Sequence, residues 1–107
     1  MILKIDTTKR EEVIVELWED KKIKDKIVVT QQTGSQALLP TIVKILKKNK
    51  IEFKHLSGVE VVEGPGSFTG TRVGVAVANA MGFALNIPVN GRLDTIVIPK
   101  YEKSKFD

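Results

Sequence analysis

The stretch GPGSFTGTRVG, residues 64–74, joins an apolar run, Val59 to Val62, to a helix of mostly small residues. Three glycines and a proline in its first seven positions predict a tight loop with unusual backbone angles. Ser67 and Thr69 are residue types that cap the start of a helix. Such a strand–loop–helix junction leaves backbone N–H groups unpaired at the positive helix end. It therefore predicts either an anion site or a surface pressed closely by another chain.

Upstream of this loop, alternating apolar residues predict three strands at residues 2–7, 13–18 and 22–30. The third strand is rich in lysine, which favours a position at the sheet edge, and the three form an antiparallel meander. A helix follows, with Ser35 as its cap, Pro40 in its first turn and its end near Asn49. Residues 58–63 form a fourth strand, which the preceding helix makes parallel to the first.

Downstream of the loop, residues 70–85 form the second helix and residues 88–90 a short fifth strand. Leu93 to Ile98 add one or two helical turns that Pro99 ends. The order predicts an α/β fold with a five-stranded mixed sheet and helices on its faces, the arrangement of a ribonuclease H-like lobe. We expect one domain over residues 1–99 and a flexible tail over residues 100–107.

Composition narrows the class of protein. The 107 residues are 42% hydrophobic and 28% charged, with a net charge of +4, which is typical of a globular chain. The absence of cysteine excludes disulfides, a thiolate metal site and a cysteine nucleophile. No apolar run reaches the length of a membrane helix and no signal peptide is visible, so we expect a cytoplasmic protein without a membrane partner.

Small residues recur at intervals of four along the second helix, at Gly70, Gly74, Ala78 and Gly82. Each interior glycine costs roughly 1 kcal/mol relative to alanine, so close backbone approach by a neighbour is the expected compensation. That neighbour is either a second polypeptide or this chain's own first helix and sheet, and we favour the second polypeptide. The predicted partner interface consists of Leu38, Leu39, Ile42, Val43 and Leu46 on the first helix, and Gly70, Val73, Gly74, Val77, Ala78, Met81 and Gly82 on the second.

Other side chains suggest further chemistry. A phosphate could contact the loop and the first turn, through Asp6, Thr7, Thr8, Gly66, Ser67, Thr69 and Arg72, or these residues could serve only local turns and contacts. Four carboxylates, Asp6, Glu60, Glu63 and Asp94, are the residue types of a magnesium-dependent nuclease. Ser67 lacks the histidine that a hydrolase nucleophile needs, since the only histidine, His55, lies in a polar loop.

Five segments resemble the TsaB (YeaZ) family: ILKIDTT at 2–8, LWED at 17–20, SQALLP at 35–40, the loop at 64–74 and IPVNG at 87–91. The glycine loop is the most specific of them. The resemblance implies the actin/Hsp70-like superfamily, whose members usually carry two ribonuclease H-like lobes, whereas this chain has only the first.

The resemblance implies a non-catalytic accessory subunit that supports a TsaD-type enzyme in threonylcarbamoyladenosine modification of tRNA. The histidine pair that holds the TsaD metal has no counterpart in residues 91–96, so neither a metal nor a cofactor is expected. The implied partners are a TsaD-type subunit, a second copy of the chain and a TsaE-type ATPase, with tRNA reached only indirectly. The alternatives are a ribonuclease H-like nucleotide- or magnesium-binding hydrolase and a self-associating structural module.

Overall fold

A computed structural model describes residues 1–30, 36–93 and 96–100. The sheet within this part has four strands, β1 (Ile2–Asp6), β2 (Glu12–Glu19), β3 (Lys22–Thr30) and β4 (Gly58–Val61), in the order β3-β2-β1-β4. The first three form the predicted antiparallel meander. β4 runs parallel to β1, with Leu3 opposite Val59. The sheet is therefore mixed, and the lysine-rich β3 lies at its edge as predicted.

The predicted fifth strand is wrong, because residues 88–90 contribute only a single parallel bridge between Val89 and Val59. Pro88 has no N–H to donate, and Asn90 adopts a left-handed backbone with φ 51°, so the strand cannot continue. The Asn90 side chain takes the place of a neighbouring strand's backbone beside Val61. Its Oδ1 accepts from Val61 N at 2.8 Å, and its Nδ2 donates to Val61 O at 3.0 Å.

Two helices follow the predicted order. α1 spans Leu38–Lys48 with Pro40 as its third residue, where proline is tolerated. Its cap position is Ala37, which makes no side-chain cap bond, and the predicted cap Ser35 lies outside the described residues. α2 spans Phe68–Leu85, two residues earlier than predicted, because Ser67 is its cap and accepts from Gly70 N at 3.1 Å. A 3-10 helix, Phe53–His55, separates α1 from β4.

Both helices pack on the same face of the sheet, which corrects the expectation of helices on both faces for the described residues. α1 contacts β2 and β3, while α2 contacts β4 and β1. The core beneath them includes six strand residues exposed by 1% or less: Leu3, Ile5, Val13, Val15, Leu17 and Val59. The opposite face is half-exposed and carries charge, with the Lys4 ammonium 3.9 Å from the centre of the Trp18 ring.

The end of the described chain differs from the predicted helical turn. Residues 96–100 form no helix, and Asp94 and Thr95 lie outside the described residues. Val97 is only 3% exposed, because its backbone pairs with the amide of Asn79 on α2. The predicted flexible tail begins at Lys100, whose backbone N–H donates to Glu63 O at 2.6 Å. Residues 101–107 of that tail lie outside the described part of the chain.

Asp25 joins β3 to the end of α1. Its Oδ2 accepts from Asn49 Nδ2 at 2.9 Å and lies 3.4 Å from Lys48 Nζ. The bond from Asn49 lowers the pKa of Asp25 below its ordinary 3.8, with smaller contributions from the Lys26 N–H and from Lys48 and an opposing one from burial.

We expect the link at Asp25 to make the free energy of unfolding depend on acid pH. Because the pKa is lowered in the folded protein, this stabilisation is complete above pH 3.8 and is lost as the pH falls below it. The Asp25→Asn variant should therefore show a flatter pH dependence of urea unfolding between about pH 4 and pH 2. Asp20→Asn, in the exposed turn between β2 and β3, is the control. Equal pH profiles for Asp25→Asn and the native chain would contradict the assignment.

Replacement of Gly70 by alanine tests how closely α2 lies against β1. Alanine usually stabilises a helix relative to glycine, but a Cβ here would overlap the backbone carbonyl of Thr7. We expect Gly70→Ala to lower the free energy of unfolding by about 1–3 kcal/mol, measured by chemical denaturation. Ala84→Gly, on the exposed side of α2, is the control and should cost only the helix propensity, about 1 kcal/mol. A Gly70→Ala chain more stable than the native one would refute the close contact.

Candidate protein interface

The chain's own sheet covers the strip of small residues on α2. A Cβ added at Gly70 or Gly74 would overlap Thr7 at the end of β1, and one at Gly82 would overlap the Val89 side chain. Ala78 is fully buried. The expectation that these four positions face a second polypeptide is therefore corrected, and the alternative of an internal neighbour applies. The physical reason is that the missing side chains let the helix backbone rest directly on the sheet.

The predicted interface on α1 divides in two. Leu38, Ile42 and Leu46 are exposed by 3% or less and belong to the core, because the helical period turns them toward β2 and β3. Their place in the predicted interface is corrected for that reason. Leu39 and Val43 remain outside, 54% and 36% exposed. One turn separates them, so they form a single apolar row on the surface.

The side of α2 that points away from the sheet is apolar beyond its second turn. After Thr69 and Arg72, its exposed members are Ala76, Ala80, Phe83 and Ala84, and we call these four residues the outer face. Phe83 is 91% exposed, the largest fraction among the exposed large apolar residues of the described chain. Of the predicted positions, Val73 and Val77 are half-buried beside this face, and Met81 is buried at 8% exposure. The outer face keeps large and small apolar side chains in water, which is typical of a surface that another molecule covers.

Sequence reasoning missed the members of the outer face. The alanines at 76, 80 and 84 recur at the same interval of four as the glycines, so spacing alone did not decide which strip faces the sheet. The signal that distinguishes them is Phe83. A large ring beside an alanine row cannot fit where backbone touches backbone, so its row is the outward one.

The residues considered for a phosphate site bind one another. Asp6 Oδ1 accepts from the backbone N and the hydroxyl of Thr8, at 2.9 and 2.6 Å. Ser67 N donates to Thr8 O at 2.8 Å, and a Cβ on Gly66 would lie 2.5 Å from the Thr8 Cβ. The Thr7 hydroxyl donates to Gly70 O at 2.5 Å. The loop is therefore packed against the turn that follows β1, which favours the structural interpretation of both.

The two remaining residues of that group lie elsewhere on the surface. Thr69 and Arg72 are exposed on the first two turns of α2.

Gly64, at the start of the loop, has φ +116°, and a Cβ there would overlap the carbonyl of Lys100. The glycine thus serves a tight bend against the end of the described chain.

The predicted carboxylates pair with neighbours at separate points. Glu60 lies 3.9 Å from Lys4 Nζ, and Glu63 lies 3.6 Å from Lys100 Nζ. Asp6 is occupied by Thr8, and Asp94 lies outside the described residues. Among residues 1–30, 36–93 and 96–100, no three acidic, histidine or cysteine side chains gather as metal ligands would. Within the same residues no helix has the length and apolar character to cross a membrane.

A cleft of about 370 Å³ lies at the C-terminal half of α2. Its large apolar lining residues include Phe83 and Ile96, which are 91% and 75% exposed. Ile87 and Val89 also line it, and Asn79, Asn86 and Arg92 are polar members. Ile98 is 73% exposed beyond it. The cleft thus continues the apolar surface of the outer face toward the end of the described chain.

Comparison with known proteins identifies the family to which this chain is similar. A family model described as "TsaD: tRNA N6-adenosine threonylcarbamoyltransferase" matches residues 27–91. The "tRNA threonylcarbamoyladenosine biosynthesis protein TsaB" of Bacillus subtilis is 34% identical over 89 residues, which cover 83% of this chain and 39% of that protein. The protein of the same name from Escherichia coli is 30% identical over 90 residues, 84% of this chain and 38% of the relative.

Solved structures agree with the relatives. The structure titled "YeaZ from Pseudomonas aeruginosa" superposes with a TM-score of 0.75 at 27% identity, over 82% of this chain and 42% of that one. The class defined here is an α/β lobe with a mixed sheet and a helical layer on one face. Within that class the chain belongs to the TsaB (YeaZ) family. It spans about two fifths of the length of the Bacillus and Escherichia relatives.

Asn79 offers a test of how residues 96–100 are held. Its amide donates to Val97 O at 2.9 Å and accepts from Val97 N at 3.0 Å. Asn79→Ala removes both bonds and leaves two backbone groups unpaired, so we expect the Val97 amide to exchange with solvent about tenfold faster or more, as observed by NMR. Thr69→Ala, an exposed change on the same helix, should leave that rate unchanged. An unaltered rate in Asn79→Ala would show that other contacts hold the segment.

Proposed function

We propose that this chain is a non-catalytic partner subunit that supports a TsaD-type enzyme in the threonylcarbamoyladenosine modification of tRNA. The observation that carries the proposal is the apolar outer face of α2, with Phe83 91% exposed, on a chain of the TsaB family. A monomer gains nothing from an aromatic ring held in water on a regular helix. A protein partner that covers the ring gains its burial energy and a packing anchor.

The proposed contact surface is the outer face together with the Leu39–Val43 row of α1. Both lie on the helical side of the sheet, so one partner surface can meet them at once. The alanines allow a helix of the partner to approach closely, while Phe83 and Leu39 supply the larger side chains of the contact. Val73 and Val77, half-buried beside the outer face, would complete it.

The accessory role follows from which side chains this chain offers. Residues 91–96, where the resemblance places a histidine pair in TsaD, read Gly-Arg-Leu-Asp-Thr-Ile. Asp6, Glu60 and Glu63 are each engaged by a neighbour of this chain, which weighs against the hydrolase alternative. The transfer chemistry would then remain with the TsaD-type subunit. The family model bears the transferase name, whereas the Bacillus subtilis and Escherichia coli relatives bear the name of the biosynthesis protein TsaB.

Several properties of the whole assembly belong to the same proposal, because the chain covers only about two fifths of the relatives cited. They are a ribonuclease H-like lobe of the actin/Hsp70-like superfamily, a cytoplasmic location, a TsaE-type ATPase as a further partner and indirect contact with tRNA. The strand order β3-β2-β1-β4 with a parallel β4 supports the first of these. A second copy of the chain is the alternative occupant of the same helical surface.

A single bulky charge on the outer face tests the proposal. Ala80→Arg places a long cation where the partner helix should pack, without disturbing the buried strip of α2. We expect its affinity for the cognate TsaD-type subunit, measured by calorimetry or surface plasmon resonance, to fall at least tenfold, about 1.4 kcal/mol. Val28→Arg, on the exposed face of β3 away from the helices, is the matched control and should bind as the native chain does. Binding by the native chain that Ala80→Arg leaves intact would refute this surface.

A further inference from the structure

The face of the sheet opposite α1 and α2, which we call the open face, carries apolar side chains that neither helix covers. Its most exposed large apolar residues are Ile23, Val28 and Val62, at 50%, 49% and 43%. Apolar side chains on the face of a regular sheet are typical of a surface that another layer covers. The open face is therefore a candidate contact surface separate from the helices.

The strand pairing arranges the side chains of the open face in three rows that cross the strands. The middle row is charged and has one member on each strand, in the order β4, β1, β2, β3: Glu60, Lys4, Glu16 and Lys26. Lys4 Nζ lies 3.9 Å from Glu60 Oε1, and Lys26 Nζ lies 3.7 Å from Glu16 Oε2. The charges of this row alternate from strand to strand and sum to zero.

An apolar row lies on each side of the charged row. The row nearer the glycine loop consists of Val62, Asp6, Ile14 and Val28. Val62 N donates to Ile5 O at 3.0 Å, which continues the pairing of β4 with β1 and places Val62 beside Asp6. The other row consists of Gly58, Ile2, Trp18 and Ile23. Apart from Asp6, the side chains of both rows are apolar or absent.

A second copy of the chain carries the complement of the charged row. A twofold axis that runs parallel to the strands, between β1 and β2, sets the row against its own reverse. Glu60 then lies opposite Lys26 of the second copy, and Lys4 lies opposite its Glu16. An axis along the row would instead set each charge against an identical one, which opposes association. The charges therefore select the axis parallel to the strands.

The same axis also matches the apolar rows. The facing pairs are Val62 with Val28, Ile2 with Trp18, and Gly58 with Ile23. Asp6 lies opposite Ile14, and its carboxylate keeps the hydrogen bonds from Thr8. A twisted sheet rotated about this axis keeps its twist, so the two faces stay parallel at about 10 Å, the ordinary spacing of packed sheets.

Other occupants match the open face less well. A nucleic acid is attracted by net positive charge, and the charged row sums to zero. A protein surface of one predominant charge would be attracted by half of the row and repelled by the other half. A second copy presents the four charges in the required order, with an apolar row on each side.

We infer that the open face binds the open face of a second copy, so that two sheets with aligned strands form a sandwich. The contact is independent of the proposed function, because it uses the side of the sheet away from α1 and α2. Contacts on the two sides can therefore form together. The pair then presents two helical sides outward, and each of them can meet its own partner subunit.

Charge exchange tests the inference, with self-association measured by analytical ultracentrifugation. Every chain carries Ala80→Arg, so that contact between helical sides does not contribute, and we call this chain the parent. The parent should dimerise at micromolar concentration. Glu60→Lys sets lysine against lysine across the axis, and Lys26→Glu sets carboxylate against carboxylate. We expect either variant alone to dimerise at least tenfold more weakly than the parent.

An equal mixture of the two variants is the decisive measurement. Every lysine of the charged row meets a carboxylate again in the mixed pair, so the affinity should return to within about twofold of the parent's. Contacts inside one chain cannot cause this recovery, because mixing leaves them unchanged. Lys44→Glu, which makes the same charge change at an exposed position of α1, is the control and should dimerise as the parent does.

Three results would overturn the inference and leave the proposed function standing. They are a parent that stays monomeric at about 0.1 mM, a dimer that both single variants leave intact, and variants that do not recover on mixing. Circular dichroism checks that every variant is folded.

Val28→Arg gives a second test that exchanges no charges. In the parent it should prevent self-association, because a long cation replaces an apolar side chain that faces Val62 of the second copy. In the native chain it should leave the affinity for the TsaD-type subunit unchanged. Loss of that affinity would assign the open face to the subunit and overturn the inference.

Discussion

The backbone of α2 rests directly on the carboxyl end of β1, and the other features of the lobe follow from that contact. Gly70 and Gly74 have no side chain where Thr7 lies, so the helix can sit lower over the sheet than a helix of larger residues. The Thr7 hydroxyl reinforces the contact by donating to Gly70 O. Because the glycines and Ala78 occupy the inner side, the alanines and Phe83 are turned outward. The same small residues that lower the helix thus decide which side chains α2 exposes to solvent.

The contact also determines what the glycine loop does. To place α2 over β1, the loop must pass the turn after β1, where Ser67 N finds the carbonyl of Thr8. Two N–H groups at the positive end of the helix thereby find acceptors within the chain, since Gly70 N donates to Ser67 Oγ and Ser67 N donates to Thr8 O. The glycine loop has the sequence of an anion site, but here it packs the start of α2 against the turn that follows β1.

Much of the fold could be predicted from sequence because period-two and helical patterns report which residues are buried. The meander, the parallel fourth strand and both helices were predictable for that reason, as was Ser67 as the cap of α2. The fifth strand was not, because the local geometry of Pro88 and Asn90 ends it after one bridge. For the candidate interface, Leu39 and Val43 were identified together with buried neighbours. On α2 two strips share one spacing, so spacing alone does not separate Gly74, which lies inside, from Ala80, which lies outside.

The side chain of Asn90 has one more consequence, for how these molecules avoid one another. Its amide occupies the N–H and the carbonyl of Val61, and residues 88–90 use those of Val59, so the outer border of β4 offers little to a foreign strand. At the opposite border, β3 displays Lys22, Lys24 and Lys26, whose mutual repulsion discourages stacking of sheets edge to edge. Both borders therefore disfavour fibre-like growth through the sheet.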